Sequence, residues 1–474
     1  MIEGTDVRAL ALSVLLPGFA GTTLPDDYRE LLEHGLGGVC YFGSNTADGP
    51  DALAALSRAI TAANPHAVVA IDEEGGDVSR LHTREPSPVL GAAALGAVDD
   101  LVLTEDVGRW VGTELAAVGV TLDLAPDADV NSDPDNPVIG TRSFGADASS
   151  VAAHTAAWTR GLQSTGVAAC AKHFPGHGDT STDSHLALPR IEVDVDTLVA
   201  RELVPFAAAV RAGVAAVMTS HIVVPALDPD GPATLSPRVL GVLRERLGFD
   251  GVVVSDALDM AGASAATGVP EAAVRALAAG CDLLCIGPDK PASLVVDIRD
   301  AIVDAVDAGR LTTARLTEAA RRVRAMRVVG ADRAEPDRRR QVEASISALD
   351  VDGDLPDLTG ALVVSVETVA NIAVGAVAWG LEPDHRVDPS ATGLHAAVVA
   401  DGVPLVVQVR DAHRRPDVID LLRSIAAEGR AAVVVEWGWP GTCDVGLARI
   451  STRGSSGPGV AAVTELLREA GWAR

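Results

Sequence analysis

The sequence predicts an α/β protein: a (β/α)8 barrel of the TIM type over residues 1–330, a linker over 331–357 and a smaller C-terminal α/β sandwich-like domain over 358–474. Three observations carry this expectation. Short β-branched apolar runs alternate with longer Ala/Leu/Arg/Glu segments of helical period up to residue 330. The apolar runs lack polar alternation, as strands buried on both faces do. Nearly every run also ends on its C-terminal side in a small polar cluster, the side on which barrel enzymes assemble their sites.

In chain order the strand-like runs are LSVLLPG (12–18), GGVCYFG (37–43), AVVAIDEEGG (67–76), GVTLDLAPDADV (119–130), AACAKHFPG (168–176), AAVMTSHIV (215–223), GVVVSDALD (251–259) and CDLLCIG (281–287). Helical patterns fill the gaps at 51–64, 105–118, 148–164, 196–212 and 237–247, the last opened by Ser236 as N-cap and Pro237 in the first turn. The stretch from 330 to 360 is rich in charge, Pro and Gly and reads as a connector. Beyond it, ALVVSVE, AAVVAD, LVVQVRD and AAVVVEWG alternate with helical patterns at 416–428 and 458–470. Trp437 and Trp439 in the last of these strands are expected in the core, with a sugar platform as the functional alternative.

Composition narrows the class of function. The 65 acidic residues outnumber the 38 basic ones, for a formal charge of −27, which repels nucleic acid and anionic lipid and leaves no nucleic-acid or membrane partner expected. Five scattered cysteines form neither a disulfide framework nor zinc-ribbon spacing and are expected as reduced thiols. The N-terminal apolar run lacks a basic flank and is too short to span a bilayer, so a cytoplasmic place is expected.

Chemistry gathers at the strand ends. Asp256, in GVVVSDALDM, is carried by an apolar strand to the barrel mouth, where a carboxylate is costly unless paired or functional. Capping of the following helix is the structural alternative for Asp256, and Asp259 is expected to start that helix. In IDEEGGDVSRL, Asp72 and Arg80 flank a Gly-Gly turn and suit a grip on vicinal hydroxyls, or a plain salt bridge. PVIGTRSFG brings Arg142 into the loop after the fourth strand.

The stretch KHFPGHGDTSTDSH, residues 172–185, admits three readings. As a metal site it would use His173, His177 and His185 with Asp179 or Asp183, but the spacing fits no helical His pair or Cys/His module, and no metal or other cofactor is expected. As a bare turn it carries a heavy polar load. As an acid/base loop, Asp183 two residues before His185 would accept from one ring nitrogen and leave the other to face a substrate.

This stretch, together with IDEEGG…R, NPVIGTRSFG, MTSH and SDALDM in the same order, resembles the β-N-acetylhexosaminidase branch of glycoside hydrolase family 3 over nearly the whole barrel. The resemblance implies a retaining, two-step mechanism on β-linked N-acetylglucosamine, with Asp256 as nucleophile and the Asp183–His185 dyad as acid/base. It also implies sugar contacts from Asp72, Arg80, Arg142, Lys172 and His173. The sequence departs from the commoner pattern at Glu73 and at Asp77, where relatives often carry an arginine, and its C-terminal region is shorter than the second domain of many relatives.

An imidazole in place of the usual second carboxyl would not repel an anionic acceptor. Two outcomes follow: hydrolysis, the family default, or transfer to inorganic phosphate with release of N-acetylglucosamine 1-phosphate. The expected partner is a small carbohydrate, a β-N-acetylglucosaminide such as a chitooligosaccharide or muropeptide fragment. The alternative of another class is a non-catalytic sugar-binding barrel, whose mark would be loss of the nucleophile or dyad; both are present.

Overall fold

The computed structural model describes residues 6–180, 188–368, 374–375, 377–389 and 402–473. Eight parallel strands form one sheet: β1 (Leu15–Pro17), β2 (Gly38–Tyr41), β3 (Val68–Ile71), β4 (Leu122–Asp123), β5 (Ala168–Phe174), β6 (Ala216–Thr219), β7 (Val252–Ser255) and β8 (Leu283–Gly287). The ladder runs β1-β8-β7-β6-β5-β4-β3-β2, and β1 and β2 lie side by side to close the ring. Each strand falls within one of the eight apolar runs.

The absence of polar alternation has a direct cause. Along β3, Val68 and Ala70 pack inside the barrel with Leu16, Cys40, Leu122, Cys170, Met218 and Val254, while Val69 and Ile71 face the helices. Successive side chains point to opposite faces, and here both faces are dry.

Helices cap where the sequence supplies acceptors. Asp100 accepts from Val102 N and Leu103 N ahead of helix Leu101–Ala117, and Asp147 accepts from Ser149 N and Ser150 N ahead of Ala148–Gln163. These two helices approach closely because Gly161 and Gly108 carry no side chain: a Cβ on Gly161 would stand 1.9 Å from Glu105 O. The helix expected over 196–212 is interrupted, with a π-helical stretch Leu198–Glu202 before the α-helix Leu203–Arg211. The expected 237–247 helix likewise passes from α to π at Val242, with Ser236 Oγ accepting from Val239 N as anticipated.

Segment 331–357 contains more than a connector. It holds helix Arg338–Ala348 and strand β9 (Asp350–Asp352), which pairs antiparallel with β14. The second sheet runs β11-β10-β12-β13-β14-β9, with β10 (Leu362–Val366), β11 (His385–Val387), β12 (Leu405–Val409), β13 (Ala432–Glu436) and β14 (Ala448–Ser451) parallel. Helix Pro416–Ala427 covers one face and Gly457–Glu469 the other. Trp437 is fully buried there, as expected of a core residue. The AAVVAD run, 396–401, lies outside the described residues.

Among the described residues, no helix is long and apolar enough to cross a membrane. All five cysteines are free thiols, four of them buried.

Candidate active site

The C-terminal ends of β3, β4, β5 and β7 surround a cavity of about 300 Å³, lined among others by Asp72, Glu74, Arg80, Arg142, Lys172, His173, His177 and Asp256. Six of the expected site residues therefore line one cavity: Asp72, Arg80, Arg142, Lys172, His173 and Asp256. Asp183 and His185 lie outside the described residues.

The turn after β3 is folded by Glu73. Its Oε2 accepts from Arg80 N at 2.8 Å and Leu81 N at 3.0 Å, doubling the loop back so that Arg80 returns to the mouth. Gly75 and Gly76 have φ of 77° and 57°, and a Cβ on Gly76 would stand 2.4 Å from Gly91 Cα. Glycine is required there both for conformation and for space. Because alternate residues share a face, Asp72 and Glu74 both reach the cavity while Glu73 turns into the loop.

Lys172, the buried penultimate polar residue of β5, has Nζ 2.6 Å from Asp72 Oδ1 and 2.7 Å from Glu74 Oε1. An ammonium carries three donors, so a third is left for a ligand. Arg142, in the short 3-10 turn Gly140–Arg142, forks onto Glu74 with Nη2 to Oε1 at 2.7 Å and Nε to Oε2 at 3.0 Å. Burial works to raise the pKa of Glu74, but Arg142 and Lys172 outweigh it and hold the carboxyl well below its ordinary range. Asp72 is likewise held down, with burial offset by Lys172 and Arg80.

His173 is committed at both ring nitrogens. Nδ1 stands 2.8 Å from Asp129 Oδ2 and donates to it, so Nε2 is the acceptor 3.3 Å from Arg142 Nη2. Burial and then the Arg142 and Lys172 charges keep the ring neutral, well below the ordinary imidazole value. His173 lines the cavity and in this geometry also holds the Arg142 guanidinium. Asp129 also accepts from His177 N at 2.7 Å, tying down the turn that follows β5. The Lys172–His173 and Phe174–Pro175 peptides are both cis.

Asp127 is fully buried beside these groups, with Oδ2 3.6 Å from Arg142 Nη2 and 3.8 Å from His173 Nδ1. Burial, then the neighbouring Asp129, raises its pKa far above normal, and burial pushes Asp129 up to about 7. Asp127, Asp129 and His173 bring ligand atoms within 4.8 Å of one another and are the described residues that could hold a metal ion. Arg142 supplies positive charge to the same spot, and His173 Nδ1 is already engaged.

Asp256 follows β7. Its Oδ1 accepts from Ala257 N at 2.7 Å, and its charge reaches His173 and His177, raising their pKa against the stronger effect of burial. It does not cap the next helix, Ala261–Ser264, whose N-cap is Met260. Asp259 is not the helix start either; it pairs with Lys290 at 2.7 Å.

Glu74, Asp127 and Asp129 were not singled out from sequence, and His177 only as a candidate metal ligand. The signal was present for the carboxylates, since Asp72/Glu74 and Asp127/Asp129 are each spaced by two and so share a face of an extended chain.

The family model for the glycosyl hydrolase family 3 N terminal domain matches residues 19–326. A beta-hexosaminidase of Methylococcus capsulatus is 38% identical over 281 residues, 58% of this chain and 83% of that protein. One from Stenotrophomonas maltophilia is 40% identical over the same length and shares. The solved structure of a glycoside hydrolase family 3 beta-N-acetylglucosaminidase from a Paenibacillus species superposes with a TM-score of 0.88 at 30% identity, covering 98% of this chain and 97% of that one. The barrel, the polar cavity at the ends of its strands and these matches have one common explanation: the chain belongs to glycosyl hydrolase family 3.

Proposed function

We propose that this chain is a retaining β-N-acetylglucosaminidase that hydrolyses non-reducing terminal β-N-acetylglucosamine from small glycans. The observation that carries the reading is the cavity in which Asp256 faces a buried array of Asp72, Glu74, Lys172 and Arg142. Fixed donors and acceptors of both signs suit sugar hydroxyls, and an aspartate in the same cavity suits attack on the anomeric carbon. The beta-hexosaminidases and the beta-N-acetylglucosaminidase to which the chain is similar support the substrate class.

In the first step an Asp256 carboxylate oxygen bonds to the anomeric carbon as the glycosidic C–O bond breaks, and His185, paired with Asp183, gives its proton to the leaving oxygen. In the second, His185 takes a proton from water, whose oxygen displaces Asp256 with a second inversion. Lys172, Asp72, Arg80 and Arg142 hold the sugar, and His173 keeps Arg142 in place. Five free thiols favour a reducing, cytoplasmic setting for this work.

The test is turnover of an aryl β-N-acetylglucosaminide with and without inorganic phosphate. Free N-acetylglucosamine at a rate independent of phosphate is expected; N-acetylglucosamine 1-phosphate as the main product would replace hydrolysis by phosphorolysis, and no turnover of any β-N-acetylglucosaminide would sink both.

A further inference from the structure

Asp77 does not line the cavity, yet it sits between the two loops that carry Arg80 and Arg142. Its side chain is 4% exposed and accepts from Thr141 Oγ1 at 2.6 Å, from Ser455 N at 3.1 Å and from Arg410 Nη2. Thr141 precedes Arg142, and Asp77 stands three residues before Arg80. Arg410 and Ser455 come from the second sheet, just beyond the C-terminal ends of β12 and β14.

The second sheet is braced to deliver this arginine. Glu436, at the end of β13, is buried and accepts from Asp411 N at 2.7 Å, Ala412 N at 3.0 Å and Gly438 N at 2.7 Å, which fixes the turn that begins at Arg410. The Arg410 guanidinium lies 5.2 Å from the centre of the Trp379 ring. The same side of the sheet touches both loops elsewhere: Arg80 Nη1 donates to Val374 O at 3.3 Å, Ala378 N to Thr83 O at 3.3 Å, and Arg414 Nη1 to Asp135 O at 3.3 Å.

We propose that Asp77 and Arg410 are positioning residues: an ion pair between the second sheet and the barrel that sets where Arg80 and Arg142 stand, making the docking of the second sheet part of substrate binding. Charge-assisted bonds to a buried carboxylate are directional, and Asp77 joins its own loop to the Arg142 loop through Thr141 and both to the second sheet through Arg410 and Ser455. An arginine at position 77 would meet Arg410 with like charge, so this pair is a matched feature of the chain. The inference rests on reading the cavity as the sugar site only for its kinetic consequence.

Two measurements on the full chain test it, with Arg410→Met, Asp77→Asn and the double variant. Amide hydrogen exchange over 74–81 and 138–142 should quicken about tenfold or more in each variant. KM for an aryl β-N-acetylglucosaminide should rise about tenfold with kcat changed less than about threefold, since a group that positions binding residues acts on uniform binding. Arg410→Lys should recover most of the loss, and the double variant should be no worse than Arg410→Met, because both remove one interaction. Wild-type exchange in folded Arg410→Met, or effects that multiply in the double variant, would overturn the proposal. If Arg410→Met fails to fold, Asp77→Asn, which keeps the shape of the side chain, decides by the same criteria. A wild-type protein without turnover would count against the sugar reading alone, and the exchange result would still decide the pair.

Discussion

Arg142 and Glu74 meet through two parallel hydrogen bonds of 2.7 and 3.0 Å, with side chains only 4% and 5% exposed. Glu74 also takes Lys172, so one carboxylate neutralises two buried cations at the mouth of the barrel. Removing one partner of such a buried set leaves charge without compensation.

Glu74→Gln should therefore lower stability by about 3 kcal/mol at neutral pH, at the lower end of the range for breaking a buried pair. The folded-state pKa of Glu74 lies below its unfolded value, so this contribution is complete above pH ~4.3 and is lost as pH falls below it. Denaturant unfolding of wild type and variant at pH 7 and pH 3.5 checks both points: the gap should narrow in acid. An equal gap at the two pH values would contradict the assignment.

His177 responds to acid differently. Burial, then the neighbouring His173, lowers its pKa to about 3. The unfolded chain takes up a proton near pH 6.5 while the folded chain does not, so stability falls as pH drops below 6.5, by about 2 kcal/mol at pH 5 for this group. His177→Gln should flatten that part of the pH–stability curve. Parallel curves for the two proteins between pH 7 and 5 would show that His177 is not held neutral by the fold.

Asp256→Ala should abolish formation of a covalent glycosyl-enzyme and reduce kcat by about 10⁴-fold or more, the scale lost when a nucleophile is removed. Intact-protein mass measurement with a slow fluorinated glycoside reads the adduct directly. Labelling or full turnover in the variant would move the nucleophile elsewhere.

Gly161→Ala reverses the sign expected from helix propensity. Alanine favours a helix interior by about 1 kcal/mol over glycine, but here its Cβ would stand 1.9 Å from Glu105 O on the facing helix. Pushing the helices apart costs about 1–3 kcal/mol, so a lower thermal midpoint is expected. A higher midpoint would show that the helix pair yields freely.

All eight barrel strands were legible as apolar runs, because a strand buried on both faces must be apolar at every position. The C-terminal sheet was legible for the same reason, at Leu362–Val366, Leu405–Val409 and Ala432–Glu436. Short β9 was not: its three residues, Asp350, Val351 and Asp352, are all exposed and only Val351 is apolar, so it left no apolar run in what reads as a connector. The π-helical stretches were equally invisible, since an inserted residue shifts the hydrophobic phase without changing composition.

The sequence by itself determined which strand ends carry polar and charged groups. Asp72, Lys172, His173 and Asp256 stand at the C-terminal ends of apolar runs, with Arg80 and Arg142 in the loops that follow, and the barrel brings all six to one cavity because its strands point the same way. Only the tertiary structure decided their partners. Glu74 looks no different from Glu73 along the chain, yet one neutralises Arg142 and Lys172 while the other folds its own loop. Asp77 stands out along the chain only as a departure from the commoner pattern, and its partner Arg410 lies 333 positions later. Charge pairing across loops depends on distances of a few ångströms that no local pattern encodes, whereas burial of a strand is written into every residue it contains.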